Sequence, residues 1–273
     1  MTEATTPTNR NITGRTKVVA IIGHPTSQVR STTTANAEYL RRGVDAVLVP
    51  IDLEPAAVPA FLQVLRHWRN APGCVVTVPH KSACAALVDG LSERARRLTA
   101  VNLIRRTAEG RLEGDMVDGE GFMLALRQQG FEPAGKAGLV FGAGAVGRAL
   151  LLSLADAGIE RLVFSDPDAT RVTQLQHLAH EAGIAARVSI GAPEDLGGFD
   201  LAVNASPVGM GADGRFAFDP ATLPAHAVVA DVVTDPVDTP LLKAAKARGL
   251  RTQTGRAMSD AQIGMQLAFL GLT

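Results

Sequence analysis

Aromatic side chains are scarce: nine Phe, one Tyr and one Trp make up 4% of the 273 residues. A core built with so few of them must be aliphatic, and the chain is 46% hydrophobic but only 20% charged. That composition suits the apolar layers of an α/β protein. Cysteine is scarcer still. Cys74 and Cys84 have no CxxC partner and no metal-ligand spacing, so they read as two buried thiols rather than a disulfide or zinc site. The six histidines supply no metal set either: His177 and His180 lie three apart on a helical segment without a third ligand, and no metal is expected. Charge of one sign is also missing, since 27 basic residues cancel 27 acidic ones. Without a basic field, nucleic-acid binding is not expected. Long apolar runs are absent. The most apolar stretch, 137–154, is broken by glycines and Arg148, and residues 1–15 are polar and Thr-rich with no apolar h-region. No membrane span or signal peptide is expected, and the chain reads as cytoplasmic with a flexible tail over 1–15.

What is present is a rhythm. The length exceeds the usual single-domain size, and two domains are expected. β-Branched runs at 18–23, 45–52 and 74–79 alternate with helical segments at 33–42, 54–69, near His80 and at 92–98. A β-hairpin is expected over 101–115, turning at Glu109-Gly110. A second series follows, with strands at 138–141, 161–166, 186–190, 200–206 and 227–233. Its helices fall at 145–157, 169–182 and 239–248, and a last helix runs over 259–270.

Gly142-Ala143-Gly144-Ala145-Val146-Gly147 is a complete G-x-G-x-x-G that follows an apolar strand and opens a helix. The first glycine permits a tight turn, the second lets a pyrophosphate approach the backbone, and the third allows close helix packing. The free N–H groups and dipole at the helix start favour the pyrophosphate charge. The next strand ends at Asp166, the spacing expected of a ribose-binding acid, and no arginine adjoins it in sequence because Pro167 and Asp168 follow. Such a carboxylate would accept both hydroxyls of NAD and repel the extra phosphate of NADP, so NAD in preference to NADP is expected.

Polar motifs also lie where strands end: Thr77-Val78-Pro79-His80-Lys81, Thr99-Ala100-Val101-Asn102 and Gly114-Asp115-Met116-Val117-Asp118-Gly119. With these in order, then GAGAVGRA, NASPVGM (204–210), DVVTDP (231–236) and GRAMSDAQ (255–262), the chain resembles the shikimate/quinate dehydrogenase family over nearly all of 18–271. The resemblance implies an α/β architecture of two domains. One is an N-terminal substrate-binding and catalytic domain, 16–118, to which the C-terminal helix (256–273) returns. The other is a Rossmann-type dinucleotide domain, 119–255, with a cleft between the two. It further implies reversible oxidation of a ring hydroxyl of shikimate, quinate or a related cyclic hydroxy acid; the sequence leaves monomer or homodimer open. Carried over residue by residue, Lys81 and Asp118 match the catalytic pair, and Ser31, Thr77, Asn102 and Gln262 the substrate contacts. Asn204, Ala205, Ser206 and Met210 fall where the family approaches its cofactor. The chemistry agrees: hydride leaves a carbinol carbon only as its hydroxyl proton is taken, a task for a coupled acid–base unit. A bland alternative stands beside each member of the pair, an exposed helix-start lysine for Lys81 and a helix N-cap for Asp118.

The resemblance breaks around the substrate. Ser31 matches the second serine of the family's Ser-x-Ser, but Val29 replaces the first. Val75 replaces an asparagine, Thr234 a tyrosine, and Met116-Val117 an Asn-Thr pair. Each change swaps a polar group for an apolar or smaller one, and leaving a buried polar substrate group unpaired costs about 1–3 kcal/mol. A divergent, shikimate dehydrogenase-like enzyme is therefore expected, with Arg30, His24 and His80 as further residues that flank its motifs. Two other readings compete: a methylenetetrahydrofolate dehydrogenase-like reductase, which lacks the Lys81/Asp118 pairing, and a non-catalytic NAD-binding regulatory protein, which needs neither residue.

Overall fold

The computed structural model describes residues 11–27 and 29–273. The expected tail therefore lies outside the described residues as far as residue 10, and Gln28 is outside them as well. The chain forms two compact units, residues 1–116 with 263–273, and residues 117–262.

The first unit begins with β1 (Lys17–Gly23), α1 (Ser31–Arg41), β2 (Ala46–Asp52), α2 (Val58–His67) and β3 (Gly73–Val76). It continues with α3 (Lys81–Ala85), β4 (Gly90–Leu91), α4 (Glu93–Leu98), β5 (Leu103–Arg106) and β6 (Leu112–Asp115). The six strands form one sheet in the order β2-β1-β3-β5-β6-β4. β1 pairs in parallel with β2 and β3, while β5 is antiparallel to both β3 and β6. The expected hairpin is this β5–β6 pair, with Gly110 at φ +82° in its turn. β2 lies at the sheet edge, where unpaired backbone groups invite pairing with other chains. Asn36 of α1 covers it: its amide donates to the Leu48 carbonyl and accepts the Leu48 N–H, both at 2.9 Å. The core is aliphatic as expected: Ile22, Leu62, Leu65, Leu103 and Ile104 are each buried, and so is the chain's one tyrosine, Tyr39.

The second unit runs α5 (Asp118–Gln128), β7 (Ala137–Phe141), α6 (Ala145–Asp156), β8 (Arg161–Ser165), α7 (Ala169–Glu181) and β9 (Val188–Ile190). It goes on through β10 (Leu201–Asn204), β11 (Val228–Asp231), α8 (Pro240–Ala247), β12 (Arg251–Gln253) and the start of α9 (Gly255–Leu270). The sheet order is β12-β11-β10-β7-β8-β9, parallel throughout. This is the doubly wound order of dinucleotide-binding sheets. β10 and β11 are buried at every position, as strands covered on both faces must be. From Ile263 onward α9 belongs to the first unit, where Leu270 lies against Gly73 and Phe269 carries the Arg105 guanidinium. None of the described helices is long and apolar enough to cross a membrane.

Candidate functional site

In the first unit, the C-terminal ends of β1, β2 and β3 gather the polar motifs. The Thr77 N–H donates to the Ile22 carbonyl at 2.9 Å, and a Cβ on Gly23 would stand 2.5 Å from the Thr77 methyl. Only glycine lets the end of β1 come so near. His80 is 1% exposed, and its Nε2 meets the Leu53 carbonyl at 2.6 Å, which ties the start of α3 to the end of β2. Lys81 is thereby set as the first residue of α3, and it is 9% exposed rather than the exposed helix-start lysine of the bland alternative. The Lys81 carbonyl accepts the Val101 N–H at 3.0 Å. The next residue, Asn102, accepts the Val76 N–H at 2.8 Å and donates its own to Asp115 at 2.9 Å. Thr77, Lys81 and Asn102 thus sit on one backbone-bonded frame, while Ser31, half-buried, opens α1 beyond the end of β1.

That frame is braced by Asp115, which accepts Ser92 Oγ at 2.5 Å, Arg94 Nε at 2.8 Å and its neighbour's Met116 N–H at 2.8 Å. Burial pushes its carboxyl up, but the Arg94 and Ser92 hydrogen bonds prevail and hold it below the ordinary value. Sequence reasoning assigned Asp115 no role. Beside the frame, His24 Nδ1 pairs with Asp52 at 2.6 Å, and Asp52 also accepts the Thr26 N–H at 3.0 Å. These contacts hold the Asp52 carboxyl below its usual range, the Thr26 N–H first and then His24. Val29 is half-buried, and Val75 is buried within β3. The two thiols are buried, and burial pushes Cys84 up to about 12 and Cys74 well above its ordinary value.

In the second unit, Asp118 does not cap a helix. Val117 is the cap residue, and Asp118 is the first residue of α5, 5% exposed, with Gln262 Nε2 3.4 Å from its Oδ1. Gly121 makes room for that glutamine, since a Cβ there would fall 2.3 Å from Gln262 Cγ.

The glycine-rich loop has the form its sequence implies. Gly142 turns at φ +112°, and a Cβ on it would lie 2.7 Å from the Ala205 carbonyl. A Cβ on Gly147 would meet the Gly142 oxygen at 2.0 Å, so the helix packs on the turn as only glycine permits. A Cβ on Gly144 would meet nothing within 4 Å. Ala143 is buried, whereas Gly144, Ala145 and Val146 are half-buried. The space over Gly144 lies at the N-terminus of α6, which has no side-chain cap, and such a helix start favours an anion. Ser206 and Met210 are half-buried on the turn after β10, but Asn204 is wholly buried and its amide is used inside the protein.

Asp166 is enclosed rather than open. Its side chain is only 3% exposed, and its two oxygens already accept the Ala143 N–H at 2.7 Å and the Asp168 N–H at 2.8 Å. An arginine does adjoin it in space: Arg171 Nη1 lies 3.9 Å from Asp166, and Arg171 Nε lies 3.4 Å from Asp168. The same arginine faces Arg148, which is buried and bonded to Gln174 at 2.8 Å; desolvation, then the charge of Arg171, lowers its affinity for the proton.

Residues 21–104 match the family model described as the shikimate dehydrogenase substrate binding domain. The chain is 37% identical over 252 residues to a curated shikimate dehydrogenase (NADP(+)) of Rubrobacter xylanophilus, covering 90% of this chain and 88% of that one. It is 38% identical over 254 residues to a protein of the same name from Rhodospirillum rubrum, covering 90% and 89%. Among solved structures, a quinate dehydrogenase from Corynebacterium glutamicum in complex with NAD superposes with a TM-score of 0.82 at 29% identity, covering 93% of each chain. A 5-ketofructose reductase of a Gluconobacter strain gives 0.82 at 28% identity, covering 96% and 95%. The expected preference for NAD over NADP is overturned by the curated relatives, which are named as NADP(+) enzymes. The physical reason lies at Asp166: its side chain is only 3% exposed, and the Arg171 guanidinium beside it offsets the negative charge that was expected to repel a phosphate.

Proposed function

The chain belongs to the shikimate dehydrogenase family, and from that premise we propose that it interconverts a ring hydroxyl and a ketone of shikimate, quinate or a related cyclic hydroxy acid, using NADP. The observation that carries this reading is the glycine loop, with Gly142 and Gly147 sterically required and the space over Gly144 open. The domain reading belongs to the same proposal, with its boundaries moved from 118 and 256 to those of the two compact units: the first unit takes the substrate and the second, 117–262, the dinucleotide.

Gly142, Ala143, Gly144, Ala145, Val146 and Gly147 hold the pyrophosphate, and Ser206 and Met210 border the cofactor. Arg171, half-exposed and paired with the Asp166 and Asp168 carboxylates, is the cation for the 2′-phosphate. When bound, the nicotinamide supplies hydride transfer. The chain's own work is proton transfer and orientation. Lys81 and Asp118 carry the proton to and from the substrate oxygen. Ser31, Thr77, Asn102 and Gln262 orient the ring, and the small exposure of Lys81 and Asn102 limits competing water.

A second reading has its own support. Val29 stands where the family's first serine would, and one structural neighbour is named a 5-ketofructose reductase. A neutral polyhydroxy ketone, with no carboxylate to grip, would suit that loss. Initial rates with shikimate and quinate, each with NADP and NAD, and with 5-ketofructose and NADPH, separate the two. Turnover of a ring acid with NADP is expected. Reduction of the ketose with no turnover of either acid would establish the second reading in its place.

A further inference from the structure

The turn after β10 is governed by one buried carboxylate. Asp231, the last residue of β11, is 1% exposed. Its Oδ1 accepts Asn204 Nδ2 at 3.1 Å and the Val233 N–H at 2.9 Å, and its Oδ2 accepts the Thr239 hydroxyl at 2.7 Å. Asn204 gives its Nδ2 also to the Val208 carbonyl at 2.8 Å. On its Oδ1 it takes the Ser206 N–H at 3.0 Å and the Ser206 hydroxyl at 2.6 Å. A side-chain amide has two donor hydrogens and one oxygen with two lone pairs. Asn204 is therefore saturated, and its orientation is single-valued. Turning the amide over would set its oxygen against the carboxylate and its hydrogens against the Ser206 N–H. Asp231, an acceptor only, is what makes the observed orientation the stable one.

The turn so fixed lies on the glycine loop. The Ala205 carbonyl and the Ser206 nitrogen stand 2.7 Å and 2.9 Å from where a Cβ on Gly142 would be. A shift of this turn by a few tenths of an ångström is therefore felt at the first glycine.

We propose that Asp231 is a positioning residue for the dinucleotide: acting through Asn204, it fixes the turn over residues 205–210 against Gly142 without touching the ligand. The proposal rests on the reading of Gly142–Gly147 as the dinucleotide site. Burial holds the Asp231 carboxyl up at about 6 against the hydrogen bonds of Val233, Thr239 and Asn204, a strain that simple packing by an apolar residue would avoid.

Direct NADP binding and steady-state kinetics on the full chain test it with three variants. Asp231→Ala removes the acceptor and raises Kd and KM for NADP roughly 10–30-fold, while KM for the ring acid stays within about twofold. Asp231→Asn keeps the volume and one acceptor oxygen but replaces a charged acceptor by a neutral one, so about a 3–10-fold rise is expected. Thr239→Val disturbs the same cluster yet leaves Oδ1 in place, and should change the NADP affinity by less than about twofold. If Asp231→Ala does not fold, the order of the other two decides. The proposal is overturned if Thr239→Val weakens NADP as much as Asp231→Asn does, or if the Asp231 variants lose kcat at unchanged Kd. If the wild-type protein binds neither NADP nor NAD, the reading of the loop itself falls and takes this proposal with it, an outcome distinct from the others.

Discussion

At the scale of single residues, burial discriminates among side chains that sequence leaves equivalent. Lys81 opens a five-residue helix, a place where lysines are commonly solvated, yet it is 9% exposed. So low an exposure sets it apart from the solvated lysines of the surface. Lys81→Ala should lower kcat by ~10²–10⁴-fold, the usual loss for a general acid–base group, with NADP binding intact. Unchanged turnover would remove Lys81 from the reaction. Arg171 should act only through the cofactor phosphate. Its replacement by Ala should raise KM for NADP by ~10-fold or more, the worth of a charge-assisted hydrogen bond, and leave KM for NAD nearly unchanged. Equal effects on both dinucleotides would place the phosphate elsewhere.

Asp231 gives a pH signature. Its carboxyl titrates at about 6 in the folded protein, above the ~3.9 of an unfolded aspartate. Between about pH 4 and 6 the native state keeps a proton that the unfolded chain has released. The contribution to stability is then full below pH ~4 and lost as pH rises through 6, a change of roughly 3 kcal/mol. Urea titrations of the wild type and Asp231→Asn at pH 4 and pH 7 should show the variant gaining on the wild type by about that much across the window. A constant difference between them would mean that Asp231 does not titrate there.

At the scale of elements, glycines set how closely helices approach. A Cβ on Gly119 would fall 2.1 Å from the Ser153 hydroxyl and 2.9 Å from the Ala149 carbonyl, so α5 crosses α6 with no room for a methyl group. Gly119→Ala should cost about 1–3 kcal/mol by overpacking, read as a lower urea midpoint at constant m-value. A midpoint equal to the wild type would mean that α5 can shift freely. This contact also marks what the sequence conveys and what it does not. Asp118-Gly119 stood out in a motif, but the helix it begins, DGEGFMLALRQ, entered only as an N-cap alternative for Asp118, because two early glycines weaken its helical pattern. β12 was missed for a similar reason: Arg-Thr-Gln is short, polar and at a sheet edge. By contrast, the apolar runs of β1, β7, β10 and β11 were plain, because strands buried on both faces must be apolar throughout. The glycine loop was legible for a local reason, six consecutive residues with fixed roles. The Asp231 network was not, because its partners lie 27 and 8 residues away and only the sheet register brings Asn204 beside it.

At the scale of the whole molecule, the chain leaves its first unit at residue 116 and re-enters it at Ile263, within a single helix. The first unit therefore cannot be completed until the last eleven residues are made. Ile263, Leu267 and Leu270 are each 5% exposed or less, and burying such a side chain contributes about 1.5–3 kcal/mol. Three of them amount to roughly 5–9 kcal/mol, comparable with the whole stability of a typical domain at about 5–15 kcal/mol. Leu270 also fills the position against Gly73, where φ is +156° and a Cβ would stand 2.0 Å from the Ile104 carbonyl oxygen, so the site has no room for a side chain of its own. A chain ending at Gln262 should consequently lose the first unit and keep the second, whose parallel sheet is closed without those residues. Expressed in that form, the protein should still bind NADP, with its amides in β7, β10 and β11 protected from hydrogen exchange, while those of β1, β3 and β5 exchange freely and no ring acid is oxidised. Protection persisting in β1 and β3 would show that the first unit folds without its returning helix; loss of protection in both sheets would show that the two units fold as one.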